Sequence, residues 1–251
     1  MKPEWSLDDY ANAIKALPDK APLEKADLLT DTFRIVQEDG LEIFYAPLDY
    51  VNRQAQVIVV GITPGWTQME VAYRQARLDL LAGLSGAQVC CHAKEQARFA
   101  GAIRTNLISM LDGIGLPGYL GLSGSEALFS THVSLLHTTS AIRYPVFVDG
   151  KDYTGHRPRL LRHPTLTHFL DTHLAGELQQ ASEGLIVPLG QAVSEALAYL
   201  VERGVVDQRR CLIGFPHPSG ANARRERLFD ERKSELERQL RSWFTSGGRR
   251  A

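Results

Sequence analysis

The most constraining stretch of this sequence is Gln56-Val57-Ile58-Val59-Val60-Gly61, a short apolar, β-branched run that stops at Gly61-Ile62-Thr63-Pro64-Gly65. A strand with one wet face alternates apolar and polar residues. A run without alternation is buried on both faces, the situation of a parallel sheet. Its Gly and Pro residues make the following segment a turn. Residues 131–137, 184–189 and 211–215 read as three more core strands, with shorter ones over 41–46 and 144–148. Helical patterns lie between them. One starts at Ser6, with Asp8 and Asp9 in its first turn, and others cover 22–36, 67–81, 93–111, 165–178, 191–202 and 222–244. Residues 149–162 are polar, hold Gly150, Gly155 and Pro158, and read as a long loop. Alternating strands and helices predict an α/β fold with a parallel sheet. Right-handed crossovers then place the loops after the strands along one edge, where such folds bind ligands. Residues 61–65, 137–143 and 217–222 are expected to meet there.

Composition excludes several classes. The chain has 251 residues, 44% hydrophobic and 23% charged, which rules out a disordered chain, a collagen-like repeat and a coiled-coil rod. The formal net charge is -1, so no global basicity announces a polyanion partner, but the balance is uneven. Residues 1–125 hold 11 Lys+Arg against 15 Asp+Glu, and the basic excess falls in the second half. Arginine dominates the basic set and suits planar, bidentate phosphate contacts. Cys90, Cys91 and Cys211 form no C-x-x-C pair, which excludes a cysteine zinc site or a four-cysteine cluster. The start of the chain, Met1-Lys2-Pro3-Glu4-Trp5, carries no apolar signal core, and no run approaches the roughly 18 apolar residues of a membrane span. These features predict a cytoplasmic protein with no membrane partner. No internal repeat or linker interrupts the chain, so 1–251 reads as a single domain.

Familiar nucleotide and hydrolase motifs are missing. No G-x-x-x-x-G-K-[ST] loop is present, no G-x-G-x-x-G follows a strand, and Gly121-Leu122-Ser123-Gly124-Ser125 has the wrong spacing for a nucleophile elbow. His163, His168 and His173 recur every five residues, about 140° apart around a helix, and do not share a face. No metal or cofactor is expected.

Two turns remain: Gly61-Ile62-Thr63-Pro64-Gly65 after the first core strand, and His217-Pro218-Ser219-Gly220-Ala221-Asn222 after the last. With Leu135-Leu136-His137-Thr138 leading to Arg143, and Ile186-Val187-Pro188-Leu189-Gly190-Gln191, they follow the order of motifs in the uracil-DNA glycosylase superfamily, which this chain resembles over about residues 30–245. The resemblance implies a three-layer α/β/α sandwich with a central, mostly parallel four-stranded sheet. It implies a monofunctional, monomeric enzyme that flips a damaged or modified base out of single- or double-stranded DNA and hydrolyses its glycosidic bond.

In that scheme His217 donates to the departing base, an oxyanion-type role. Pro218 and Ser219 shape the turn and grip a phosphate, Gly220 touches the DNA beside them, and Asn222 acts either there or as a helix cap. Arg224, Arg225 and Arg227, together with Arg209 and Arg210, clamp the DNA backbone or wedge the gap left by the flipped base, and Arg157, Arg159 and Arg162 line the other wall of a groove. Gly61, Ile62, Pro64, Gly65, Trp66 and His137 form the base pocket.

Three positions depart from the family. Thr63 stands where many relatives carry Asp or Asn, and a hydroxyl holds a water without acting as its base. Catalysis then rests on leaving-group stabilisation, or Asp149 or Asp152 supplies the base. Gly65 replaces a Tyr that closes the pocket, and His137 replaces an Asn that reads uracil, so the base is uracil or a modified pyrimidine, including a hypermodified phage base, or a deaminated purine. A non-catalytic DNA binder and a nucleoside hydrolase are the alternatives.

Overall fold

A computed structural model describes residues 5–220 and 224–245. In chain order the elements are α1 (Leu7–Lys15), α2 (Lys25–Leu28), β1 (Arg34–Glu38), β2 (Leu41–Phe44), β3 (Val57–Gly61), α3 (Trp66–Leu81), α4 (Gly86–Gln96), α5 (Gly101–Gly113), α6 (Leu116–Leu120), β4 (Leu136–Ser140), β5 (Val146–Val148), β6 (Lys151–Asp152), α7 (Pro164–Phe169), α8 (Ala175–Gln180), β7 (Leu185–Pro188), α9 (Gln191–Glu202) and α10 (Arg225–Thr245). They fall into two compact units. The first comprises Met1–Val51, Thr63–Arg98 and Ile142–Arg157; the second comprises Asn52–Ile62, Phe99–Ala141 and Pro158–Ala251.

The second unit is α/β, built on a three-stranded parallel sheet in the order β4-β3-β7. Val57, Ile58, Val59 and Val60 are fully buried, as an apolar run without alternation requires. Val57, Val59, Leu185 and Val187 pack on one face with Leu107, Met110 and Leu111 of α5 and Leu236 and Leu240 of α10. On the opposite face, His137 of β4, in register with Ile58, meets Glu177 of α8.

Two strand expectations change. The second core strand is Leu136–Ser140, not 131–137, because its buried residues are the polar Thr138, Thr139 and Ser140 and a short helical turn, Val133–Leu135, precedes it. The fourth strand, 211–215, reduces to one parallel bridge, Ile186 to Cys211. Beyond it Gly214 has φ +91, and Pro216 and Pro218 have no N–H to donate to a ladder. Arg210 is also not available to clamp DNA. It is buried, and its guanidinium donates to the carbonyls of Gly184 (3.0 Å), Leu178 (3.3 Å) and Ala181 (2.6 Å), closing the C-terminus of α8. Arg209 lies on Asp207 at 2.6 Å.

The first unit carries an antiparallel sheet, β1-β2-β5-β6. The helix expected over 22–36 is a single turn, α2, followed by strand β1. Asp39 and Gly40, at φ 46 and 77, turn β1 into β2, and Asp149 and Gly150, at φ 49 and 71, turn β5 into β6. Both are Asp-Gly hairpins, and the second replaces part of the long loop expected at 149–162. The helix expected over 93–111 is two, α4 and α5, and the break between them carries the chain from the first unit to the second. Among the described residues no helix is long and apolar enough to cross a membrane.

Candidate functional site

The carboxyl edge of the parallel sheet in the second unit gathers part of the motif set. Gly61 ends β3 beside Ser140, the last residue of β4, and its carbonyl accepts the Ala141 N–H at 2.8 Å. A Cβ on Gly61 would meet the Phe99 ring and the Ser140 hydroxyl, each at 3.5 Å. On the other side of β3, Leu189 N–H donates to Val60 (2.9 Å) and Gly190 N–H to Phe215 (3.0 Å). Gly190 has φ +89, and a Cβ there would stand 3.1 Å from that of His217, so only glycine suits this position. Ser140, Gly61, Gly190 and His217 thus follow one another along this edge.

The His217 turn is fixed from several sides. Ser219 N–H donates to His217 Nδ1 at 3.1 Å. Asn106 Nδ2 donates to Pro218 O at 2.8 Å, and Arg225 Nη1 donates to Ser219 O at 3.4 Å. A ring nitrogen that accepts a backbone N–H carries no proton, and burial pushes the His217 pKa down, so the ring is neutral with its proton on Nε2. A neutral N–H donor of this kind stabilises an oxyanion without having to be protonated first. The unfolded chain protonates this histidine near its ordinary 6.5, while the folded chain does so only at lower pH. Stability is therefore expected to fall as pH drops below about 6.5, and the His217 ring proton to titrate below that value by NMR. A midpoint at or above 6.5 would contradict the neutral ring.

In the first unit, Thr63 Oγ1 donates to Tyr144 O (2.8 Å) and accepts the Val146 N–H (3.1 Å), so its hydroxyl staples the turn to β5. The room beside Gly65, expected to be an open pocket wall, is filled instead. The Asp152 carboxylate lies 2.9 Å from where a Gly65 Cβ would stand and accepts Trp66 N–H at 3.0 Å, capping α3. Trp66 is half-buried as the first residue of that helix, with Lys25 Nζ 6.0 Å from its ring centre. Asp149 sits at the Gly40 hairpin. Gly65→Ala is expected to lower stability by about 1 kcal/mol in urea denaturation by dislodging this cap. It should add little in an Asp152→Ala background.

His137 does not belong to the edge just described. It is the second residue of β4, 2% exposed, with Nε2 3.0 Å from Glu177 Oε2 and Nδ1 facing Asn52 N–H at 3.5 Å. Ile62 follows Gly61 half-buried, and Pro64 is buried. Gly220 and Arg224 are exposed, whereas Arg225 folds back on Ser219 and Glu226. Arg227 pairs with Glu231 at 3.4 Å, and Arg157, Arg159 and Arg162 are exposed. Asn222, expected at the turn, lies outside the described residues. Phe99, Ser140, Asn106 and Asp152 now join the motif residues. Asp152 had a signal in the sequence as a spare carboxylate, and Ser140 lies within 137–143, the segment expected at this edge; Phe99 and Asn106 had none. Among the described residues no group of three or more His, Cys, Asp or Glu side chains is placed to hold a metal ion.

No protein-family model matches the chain. No solved structure matches it either. The uncharacterized protein YoxB of Bacillus subtilis (strain 168) is 41% identical over 239 residues, covering 94% of this chain and 93% of YoxB. With that identity over nearly the whole of both proteins, the chain belongs to the YoxB family.

Proposed function

We propose that this protein is a monofunctional DNA glycosylase of the uracil-DNA glycosylase kind. In this reading its second unit is the core of a three-layer α/β/α sandwich, with the Cys211 segment in the place of a fourth strand. The observation that carries the proposal is His217, a half-buried imidazole whose Nδ1 accepts the Ser219 N–H, held on a turn at the carboxyl edge of a parallel sheet.

When the bond between a base and C1′ stretches, the sugar becomes cationic, as in other glycoside hydrolyses, and the base oxygen gains negative charge. The Nε2–H donor meets that charge where it develops. The Phe99 ring beside Gly61 offers a stacking surface for a base taken out of the helix. Water delivers its hydroxyl to C1′ and its proton balances the departing base, leaving an abasic site. Because the Thr63 hydroxyl is tied to Tyr144 and Val146, catalysis rests on stabilising the leaving base.

The partner is DNA, single- or double-stranded, bound by one copy of the chain in the cytoplasm. The substrate base is uracil, a modified pyrimidine or a deaminated purine, and no cofactor enters the reaction as written. Oligonucleotides bearing uracil, hypoxanthine, a mismatched thymine or modified cytosines test this, with alkaline cleavage reporting abasic sites. Cleavage of at least one is expected, and none across the panel overturns the proposal. The tied Thr63 hydroxyl favours a second reading, a binder that retains modified DNA in a salt-dependent way without product.

A further inference from the structure

Asn106 is used nowhere in the chemistry above, yet it acts on the peptide group that decides the state of His217. The Pro218 carbonyl and the Ser219 N–H are the two ends of one planar trans peptide, and they point in opposite directions. Asn106 Nδ2 holds the carbonyl end at 2.8 Å, and His217 Nδ1 accepts the N–H end at 3.1 Å. Rotating this peptide by half a turn would bring a carbonyl oxygen toward Nδ1. That oxygen is satisfied only if the proton sits on Nδ1, the opposite tautomer.

From the shared peptide we infer that Asn106 is a positioning residue that sets the tautomer of His217 by gripping the Pro218 carbonyl, so that the Ser219 N–H faces Nδ1 and the ring proton stays on Nε2. An amide side chain suits the task because it presents an N–H to a carbonyl while remaining uncharged. The support under the turn is rigid. Asn106 stands on α5, whose Leu107, Met110 and Leu111 are packed in the sheet core, and Ala102, one helical turn earlier, lies 3.7 Å from the Cβ position of Gly220. A hydrogen bond in a protected place biases an equilibrium of this kind about five- to tenfold, enough to make one tautomer dominant.

The consequence for catalysis rests on the glycosylase reading; the tautomer itself does not. The test is nitrogen-15 NMR of the full chain with labelled histidine at pH 7.5, with His217→Gln used to assign the ring signals. The native chain should show two widely separated ring nitrogens, Nε2 protonated and Nδ1 not. In Asn106→Ala the two shifts should move toward each other as tautomers mix. The same should occur in Asn106→Asp, which keeps the size of the side chain but turns a carboxylate toward the carbonyl. A native His217 protonated on Nδ1 overturns the inference without recourse to a variant, and so do folded variants that keep the native pair of shifts.

On an excised substrate both variants should lower kcat about ten- to a hundredfold with KM unchanged, as a misaligned donor predicts. Mixed tautomers in the variants with no abasic sites from any oligonucleotide would uphold Asn106 and remove the glycosylase reading. Abasic sites with unchanged tautomers would do the reverse.

Discussion

On the proposed glycosylase reading, replacing His217 by alanine is expected to slow base release about a hundred- to a thousandfold, or about 3–4 kcal/mol of transition-state stabilisation, with DNA affinity within a few-fold of native. The asymmetry follows from when the charge appears. In the bound substrate the base oxygen is nearly neutral and an N–H contributes little. In the transition state the oxygen carries much of an anion, and the same N–H, carried on a neutral ring, would contribute most. The variant should fold, because alanine keeps the Cβ against which Gly190 is shaped, 3.1 Å from a Cβ position Gly190 leaves vacant. His217→Gln keeps an N–H on a longer arm and should retain an intermediate rate. Single-turnover assays on the best substrate separate these variants from effects on binding. A His217→Ala enzyme that releases base at the native rate sinks the catalytic assignment and leaves the DNA-binding reading in its place.

What could be read from the sequence divides along the range of the interactions involved. The run at 56–61 and the pattern at 191–202 reach the structure as β3 and α9 because burial on two faces, or on a helical stripe, is written in consecutive residues. Strand β4 was displaced by several positions because hydrophobicity stops at Leu136 while the strand continues through Thr138, Thr139 and Ser140, polar residues whose burial depends on partners elsewhere. That shift is why, within the segment 137–143 expected at the carboxyl edge, Ser140 rather than His137 stands beside Gly61. The Asp-Gly pairs at 39–40 and 149–150 are local turn signals that the helix expected over 22–36 and the loop expected over 149–162 leave unused.

At the site, the motifs at Gly61 and His217 announce themselves locally. The residues that decide what the motifs can do are distant: Asn106 grips a carbonyl 112 residues away, and Asp152 caps a helix 86 residues away. Thr63 shows the same limit. Its chemistry is set by Tyr144 and Val146, strand neighbours that no spacing rule connects to it.

The largest loss of stability is expected from Glu177→Ala, about 3–5 kcal/mol, or about 10 °C in Tm for a chain of this size. Glu177 is 1% exposed and His137 2%, with Oε2 and Nε2 3.0 Å apart. At this depth each group has lost its water, and the hydrogen bond between them offsets part of that loss. Removing the carboxylate takes the acceptor from His137 Nε2 and opens a cavity between α8 and β4. The double variant His137→Leu/Glu177→Leu should recover part of the loss, because two apolar side chains ask for no polar partner in the same space, although the Asn52 N–H gives up its contact with Nδ1. Urea denaturation of His137→Leu, Glu177→Leu and the double gives the coupling directly. A Glu177→Ala loss below about 1 kcal/mol, or a double variant no better than the singles, would show that the pair does not hold the strand in place. Strong coupling would instead explain why a histidine stands at this position: its two nitrogens tie the Asn52 backbone at one end and a helix carboxylate at the other, fixing β4 in the register that brings Ser140 level with Gly61 at the carboxyl edge.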